Sequence, residues 1–242
     1  MIDLENQVAV VTGVSGGIGK AIAIGLAKKR VKLCLVGRNV EKLRGLREKL
    51  LKHAPKIEIC RADLTNEKDI ESVSSFVFKE FGTVNILIHS AGFLSSEAIE
   101  NATLDRLNLH FKVNFYAPYL ITQSLLPALK ETQGQIVFLN SSAIQRAIPN
   151  LVQYSSSKFA LKGLADTLRE EINPYGVRVL SIFPGQTATS MQKKLYNEKC
   201  KTYEPERLLQ PADISDVVIH SLMLSKTAEI TEIFIRPMMK SS

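Results

Sequence analysis

Seven short apolar runs alternate, from one end of the chain to the other, with segments that carry apolar residues at helical spacing, and this alternation leaves few folds open. The runs are Val8–Thr12, Lys32–Gly37, Ile57–Cys60, Asn85–His89, Ile136–Asn140, Val177–Ile182 and Glu232–Ile235. Helical patterns fill the intervals over Ile18–Lys29, Val40–His53, Asn66–Phe81, 103–130, 152–173 and 211–225. Continuously apolar strands separated by helices predict a parallel sheet covered on both faces. No linker, repeat or low-complexity stretch divides the 242 residues. One domain over residues 1–242 is expected: α/β, with a doubly wound, seven-stranded parallel sheet.

Composition removes several classes of function. No run approaches the roughly 20 apolar residues of a membrane span, and the first residues, Met1–Asn6, lack the basic and apolar segments of a secretory signal. Cys34, Cys60 and Cys200 are an odd number without close spacing, and the first two sit in strand-like runs; reduced thiols in a cytoplasmic protein are expected. His53, His89, His110 and His220 show no metal-ligand spacing, so no metal is expected. The net charge of +7 is spread along the chain without interleaved aromatic residues, which argues for a solvated basic surface and against nucleic acid.

In a doubly wound sheet ligands bind beyond the carboxyl ends of the strands, so the residues after each strand are the candidates. The first strand runs into Thr12-Gly13-Val14-Ser15-Gly16-Gly17-Ile18-Gly19. Glycines there permit a sharp turn and bring a pyrophosphate close to the N–H groups of a helix N-terminus. After the second strand, Gly37 stands where a carboxylate would bind a ribose 2′-hydroxyl, and Arg38 follows, which favours a 2′-phosphate and hence NADP(H) over NAD(H). Asp63 and Leu64 follow the third strand, with the carboxylate suited to an adenine amino group. His89-Ser90-Ala91-Gly92 ends the fourth, and Pro184-Gly185-Gln186-Thr187-Ala188-Thr189 ends the sixth, where Thr187 or Thr189 could bond a carboxamide or phosphate.

Tyr154 and Lys158 are four residues apart in a predicted helix and therefore share a face. An ammonium beside a phenol favours the phenolate, so the pair is suited to moving a proton on or off an oxygen.

Taken in order, Thr12-Gly13-x3-Gly17-x-Gly19, Asp63, Ala91-Gly92, Asn114, Ser141, Tyr154-x3-Lys158 and Pro184-Gly185-x3-Thr189 resemble the short-chain dehydrogenase/reductase family over essentially the whole chain. The resemblance implies a Rossmann fold, a nicotinamide cofactor and a catalytic group of Asn114, Ser141, Tyr154 and Lys158. It implies cofactor contacts from Gly13, Ser15, Gly17, Ile18, Gly19, Arg38, Asp63, Leu64, Ala91, Gly92, Tyr154, Lys158, Pro184, Gly185, Thr187 and Thr189. Relatives carry the serine thirteen residues before the tyrosine, which selects Ser141 over Ser142. In the family the asparagine interrupts its helix and holds a water that links the lysine to solvent.

Two departures stand out. The fourth-strand motif, usually Asn-Asn-Ala-Gly, reads His89-Ser90-Ala91-Gly92, with Ser90 expected to weaken a brace and His89 expected to be structural or at the cofactor's edge. The chain closes on Ile235-Arg236-Pro237-Met238-Met239-Lys240 instead of a Gly-Gly segment.

The expected activity is reversible hydride transfer between NADP(H) and a small-molecule carbonyl or alcohol. Tyr154 is the proton donor and acceptor, with its pKa lowered by Lys158. The alternative is a regulator or scaffold that binds NADP without catalysis. Residues 189–211, with Met191, Leu195 and Tyr196 beside Lys193, Lys194, Lys199 and Lys201, are expected to form a mobile lid. Ile144 and Leu151 are expected to join its apolar members in a partly hydrophobic pocket. On the helix after Gln153, Leu161, Leu164, Leu168 and Ile172 form a bulky strip for the sheet. Ser156, Ala160, Gly163 and Thr167 form a small-residue strip for a second copy, so a homodimer or homotetramer is expected.

Overall fold

In a computed structural model that describes residues 1–198 and 200–239, all seven apolar runs are strands of one sheet, every neighbouring pair parallel. They are β1 (Val8–Thr12), β2 (Lys32–Gly37), β3 (Ile57–Arg61), β4 (Ile86–His89), β5 (Gln135–Leu139), β6 (Arg178–Pro184) and β7 (Glu232–Ile235). Lys199 and the residues from Lys240 onward lie outside the described residues. The order across the sheet is β3-β2-β1-β4-β5-β6-β7. It reverses direction between β1 and β4, where Ala9 pairs with Ile86 and Val11 with Ile88. Such a reversal opens a crevice at the carboxyl ends of the strands.

Each face of the sheet has its own core. On one face α1 (Gly17–Lys28), α2 (Val40–Leu50) and α8 (Pro211–Leu222) bury Ile22, Leu26, Leu43, Ile214 and Val218 against Leu33, Leu35 and Ile88. On the other, α3 (Glu67–Phe81), α5 (Ala117–Thr132) and α6 (Val152–Ile172) bury Val73, Ile121, Leu161 and Leu168 against Val10, Leu87 and Phe138. Covering on both faces is the reason the central strands read as unbroken apolar runs rather than as alternating ones. Three helices start where the sequence offers an acceptor: Asn39 caps α2, Asn66 caps α3, and Thr103 caps α4 (Leu104–Phe111).

The segment 103–130, expected as one helix, is broken. Between α4 and α5 the residues Lys112–Tyr116 form a π-helical turn, and the second helix continues to Thr132. A π turn inserts a residue into the i→i−4 ladder and redirects the side chains around it. Here the redirected side chain is Asn114, which is fully buried. The 189–211 segment contains α7 (Ser190–Glu198) and a 3₁₀ turn over Pro205–Arg207. Its two ends meet, with the Ala188 N–H donating to the Leu209 carbonyl (2.7 Å) and the Leu209 N–H to the Gln186 carbonyl (3.0 Å).

Candidate active site

A cleft of about 770 Å³ runs along the carboxyl edge of the sheet. Its floor begins at the turn after β1. Gly13 has φ +74°, and a Cβ there would lie 2.6 Å from both Cα and N of Ala91, so only glycine fits beneath the β4 exit. A Cβ on Gly19 would lie 2.7 Å from the Gly13 carbonyl oxygen, which keeps helix and turn in close contact. Helix α1 then starts with neither a side-chain cap nor an acidic residue in its first turn. Its leading N–H groups and the positive end of its dipole are thereby left for an anion.

Further along, Arg38, Asn39 and Lys42 line the cleft after β2. No carboxylate lies within ion-pair distance of Arg38 or Lys42 among the described residues. Asp63 lies opposite, and its Oδ1 accepts from the Thr65 N–H (3.0 Å) and the Thr65 hydroxyl (2.8 Å). Partial burial pushes its carboxyl pKa up, but the Thr65 bonds and the charges of Arg38 and Arg61 outweigh that and hold it below the ordinary value. An uncapped helix start, a cationic corner and a glycine floor that side chains would fill together fit a dinucleotide phosphate chain.

The exit of β4 is braced by Thr12. Its hydroxyl accepts from the N–H groups of Ser90 (3.1 Å) and Ala91 (3.2 Å) and donates to the Ile88 carbonyl (3.3 Å). The brace thus runs through β1, and Ser90 takes part through its backbone. His89 points into the core, where Nε2 lies 2.8 Å from the Thr122 hydroxyl and the ring stacks on Phe138 at 4.9 Å. Complete burial drives its pKa down to about 3. It is a neutral structural histidine outside the cleft lining.

Beyond β5, Ser141, Tyr154 and Lys158 share the cleft wall. Ser141 is held in an extended conformation ahead of the 3₁₀ turn Ser142–Ile144, and its hydroxyl accepts from the Ala143 N–H (3.1 Å). Ser142 also lines the cleft, so backbone alternation does not separate the two serines. Burial raises the Tyr154 pKa, and the bond to the Ser141 hydroxyl pulls it the other way. The lowering by Lys158 expected from the spacing is not found: the opposing pull comes from Ser141, and desolvation wins. The ammonium lies 5.9 Å from the phenol ring centroid and donates instead to the Leu139 carbonyl (2.8 Å). Burial brings the Lys158 pKa down to about 7.

Asn114 is absent from the cleft wall and sits behind it. Its Oδ1 accepts from the Phe93 N–H (2.8 Å), and its Nδ2 donates to the Phe93 carbonyl (2.9 Å) and to the Ser157 hydroxyl (2.9 Å). Ser157 in turn donates to the Tyr154 carbonyl (2.7 Å). The amide ties the loop after β4 to the first turn of α6.

The remaining candidates Gly13, Ser15, Gly17, Ile18, Gly19, Leu64, Ala91, Gly92, Pro184, Gly185, Thr187 and Thr189 all line the cleft. Two expectations for the wall change. Ile148, one turn of loop beyond Ile144, takes the lining position, and Tyr196 turns inward, where its hydroxyl donates to Gln186 (3.0 Å). Lys193 and Lys194 are exposed, the latter beside Glu198 at 3.7 Å.

Three supporting residues escape a reading by motif. Asn140 accepts from the Ser141 N–H (2.9 Å) and donates to the Lys158 carbonyl (3.2 Å), so one amide sets the position of both. Its place directly before Ser141, a polar residue ending an apolar strand, is the available signal. Lys42 lines the cationic corner one helical turn after Arg38. His110, fully buried, packs its ring edge against Tyr154 at 6.0 Å and Phe93 at 4.7 Å, with the Ser95 hydroxyl 3.0 Å from Nε2. Burial, with the charges of Arg106 and Lys158, lowers its pKa to about 4 against the opposing pull of the Phe93 backbone. A lone histidine in a helical pattern gives no sign of this in sequence.

Comparison with known proteins agrees with this geometry. The family described as short chain dehydrogenase matches residues 7–199. An uncharacterized oxidoreductase of Staphylococcus aureus is 30% identical over 98% of this chain and 100% of its own length. Glycine betaine reductase of Emericella nidulans is 33% identical over 97% of this chain, which spans only 19% of that much longer protein. Among solved structures, an alcohol dehydrogenase from Thermococcus sibiricus, complexed with 5-hydroxy-NADP, superposes with a TM-score of 0.88 at 27% identity, covering 98% of this chain and 99% of its own. A metagenomic short-chain oxidoreductase in complex with NADP gives 0.84 at 28% identity, covering 98% and 100%. The chain belongs to the short-chain dehydrogenase family of oxidoreductases.

Proposed function

We propose that the protein is an NADP(H)-dependent oxidoreductase that interconverts a carbonyl and an alcohol, with Tyr154 as proton donor and acceptor. The observation that carries this reading is the convergence of the Tyr154 phenol, the Ser141 hydroxyl and the Lys158 side chain on the same cleft as the uncapped start of α1 and the cationic corner at Arg38. When bound, the nicotinamide supplies the hydride. Ser141 hydrogen-bonds the substrate oxygen and aligns it. Tyr154 gives that oxygen a proton in the reductive direction, and its raised pKa means that it starts protonated at neutral pH. Lys158, with a pKa near 7, is suited to passing a proton back to the phenol. Asn114 and Asn140 position the group without touching the reacting atoms.

Arg38 and Lys42 form a site for a 2′-phosphate, and the absence of a side chain at Gly37 removes the carboxylate that would repel it. The complexes of the two structural relatives with NADP-type ligands support the same preference. Purified protein should oxidise NADPH in the presence of a ketone or aldehyde and use NADH poorly. Arg38→Leu should raise the KM for NADPH by about 10–100-fold, the loss of one charge-assisted contact, and leave that for NADH unchanged. Equal use of both cofactors by the unaltered protein would overturn the preference.

A homodimer or homotetramer forms, on this reading, through α6, where Phe159 is exposed one helical turn before Gly163. The buried thiols of Cys34 and Cys60 suit a reducing, cytoplasmic setting. No helix among the described residues is long and apolar enough to cross a membrane.

A further inference from the structure

Charge is divided unevenly along the cleft. Arg38, Lys42 and Asp63 cluster at the end beyond β2 and β3. At the other end Phe93, Leu94, Leu109, Val113, Leu151 and Met191 form an apolar wall beside the uncharged polar residues Ser142 and Gln192. The apolar residues come from the loop after β4, from α4 and the π turn, and from the starts of α6 and α7. Among the described residues Lys158 is the one charged side chain lining this part, and it donates to the Leu139 carbonyl at 2.8 Å. Among the described residues, the nearby cations Arg106, Arg146, Lys193, Lys194 and Lys201 are exposed and do not line the cleft.

This apolar wall is built, not collapsed at random. Phe93 is pinned through both its backbone N–H and its carbonyl by Asn114, and its ring rests on His110, which packs against Tyr154. His110 stays neutral at working pH, so it brings no cation to the wall. From the lid, Met191 reaches over, its Cε 4.0 Å from where a Cβ on Gly92 would sit. The lid helix that carries Met191 is fastened beneath by the bond from Tyr196 to Gln186.

We infer that the substrate is an uncharged ketone or aldehyde with an apolar body, and that carbonyl compounds bearing a carboxylate or phosphate are rejected. The inference rests on the hydride-transfer reading and names its substrate class. In the reductive direction the C=O π bond breaks, the hydride from NADPH forms the new C–H bond, and the Tyr154 proton forms the O–H bond. The balanced products are an alcohol, NADP⁺ and a tyrosinate that is reprotonated through Lys158, which takes its proton from solvent. The physical basis is asymmetric. An alkyl or aryl body gains by leaving water against this wall. A carboxylate loses its hydration and, among the described residues, meets no cation on this wall apart from Lys158, which is held by the Leu139 carbonyl.

The test uses ester and acid pairs that differ in charge and by a single methyl group: methyl acetoacetate against acetoacetate, and methyl benzoylformate against benzoylformate. Turnover is followed as NADPH oxidation by the unaltered protein, and affinity is measured separately on the NADPH-loaded Tyr154→Phe protein. Esters should exceed acids by about 100-fold in kcat/KM and in affinity, the scale set by an unpaired charge in an apolar site. Met191→Arg, which places a cation on the wall, should narrow both ratios to below about 10-fold. Equal or greater efficiency with the acids, or no binding of either ester, would overturn the inference while leaving hydride transfer intact. An ester bound in preference to its acid yet never reduced would do the reverse, removing hydride transfer and leaving the ligand class.

Discussion

His89 and His110 carry opposite lessons from one physical cause. Both are buried and held neutral, with pKa values near 3 and 4 against an ordinary 6.5. In the unfolded chain each imidazole takes up a proton as the pH falls through 6.5, whereas in the folded chain it does not until much lower. Between these limits the unfolded state binds more protons, so stability falls with pH by up to about 1.4 kcal/mol per pH unit for each group. The window runs from pH 6.5 down to about 3 for His89 and to about 4 for His110. Denaturant unfolding from pH 4 to 7 should show this slope, and His89→Leu should reduce it by roughly one proton's worth. An unchanged slope in that variant would mean that His89 is protonated in the folded protein. Sequence puts His89 in a motif position and favours a structural or cofactor-edge role over acid–base work; its core contacts with Thr122 and Phe138 select the structural one. His110 had no motif, and its contact with Tyr154 appears only once α4 is laid against α6.

At the scale of elements, the seven strands were legible because a strand buried on both faces must be largely apolar, and β1 and β5 are buried at every residue. The glycine turn was legible because Gly13 has no alternative beneath Ala91. The break between α4 and α5 was not. The apolar periodicity continues across Lys112–Tyr116, and a single inserted residue leaves too small a phase change to read. Asn114 marked the place as unfavourable for a helix, but its three bonds to Phe93 and Ser157 depend on a loop and a helix far away in sequence. The same holds for the wall: Ile144 and Ile148 are equivalent in composition, and only the 3₁₀ turn decides which one lines the cleft. Removing the Asn114 amide leaves the Phe93 N–H and carbonyl unpaired. Asn114→Ala should therefore lower stability by about 2–4 kcal/mol in denaturant unfolding and reduce kcat along with it. A loss within 0.5 kcal/mol, below the cost of one orphaned group, would show that the amide is not the brace.

Over the whole molecule, the division of α6 into two faces is plain. Leu161, Leu168 and Ile172 are buried against the sheet, Leu164 partly so, whereas Ser156, Gly163 and Thr167 face outward and Ala160 is half-covered. Nothing lies within 4 Å of a Cβ built on Gly163, so the single chain gives no reason for glycine there. A second copy packed closely on this face would. Gly163→Arg should thus be accepted by the fold, with a helix-propensity gain of about 0.5–1 kcal/mol, while light scattering shows a dimer or tetramer becoming a monomer. A monomeric unaltered protein would remove the interface altogether.

The central claim concerns one proton. In single-turnover experiments with NADPH and a ketone, Tyr154→Phe should slow NADPH oxidation by at least about 100-fold, the range of a lost general acid. Its NADPH affinity, measured on the same preparation, should stay within about threefold, less than a single neutral hydrogen bond contributes. Near-normal oxidation by the phenylalanine variant would contradict the account, because the cleft would then be moving hydride without the residue around which its wall is built.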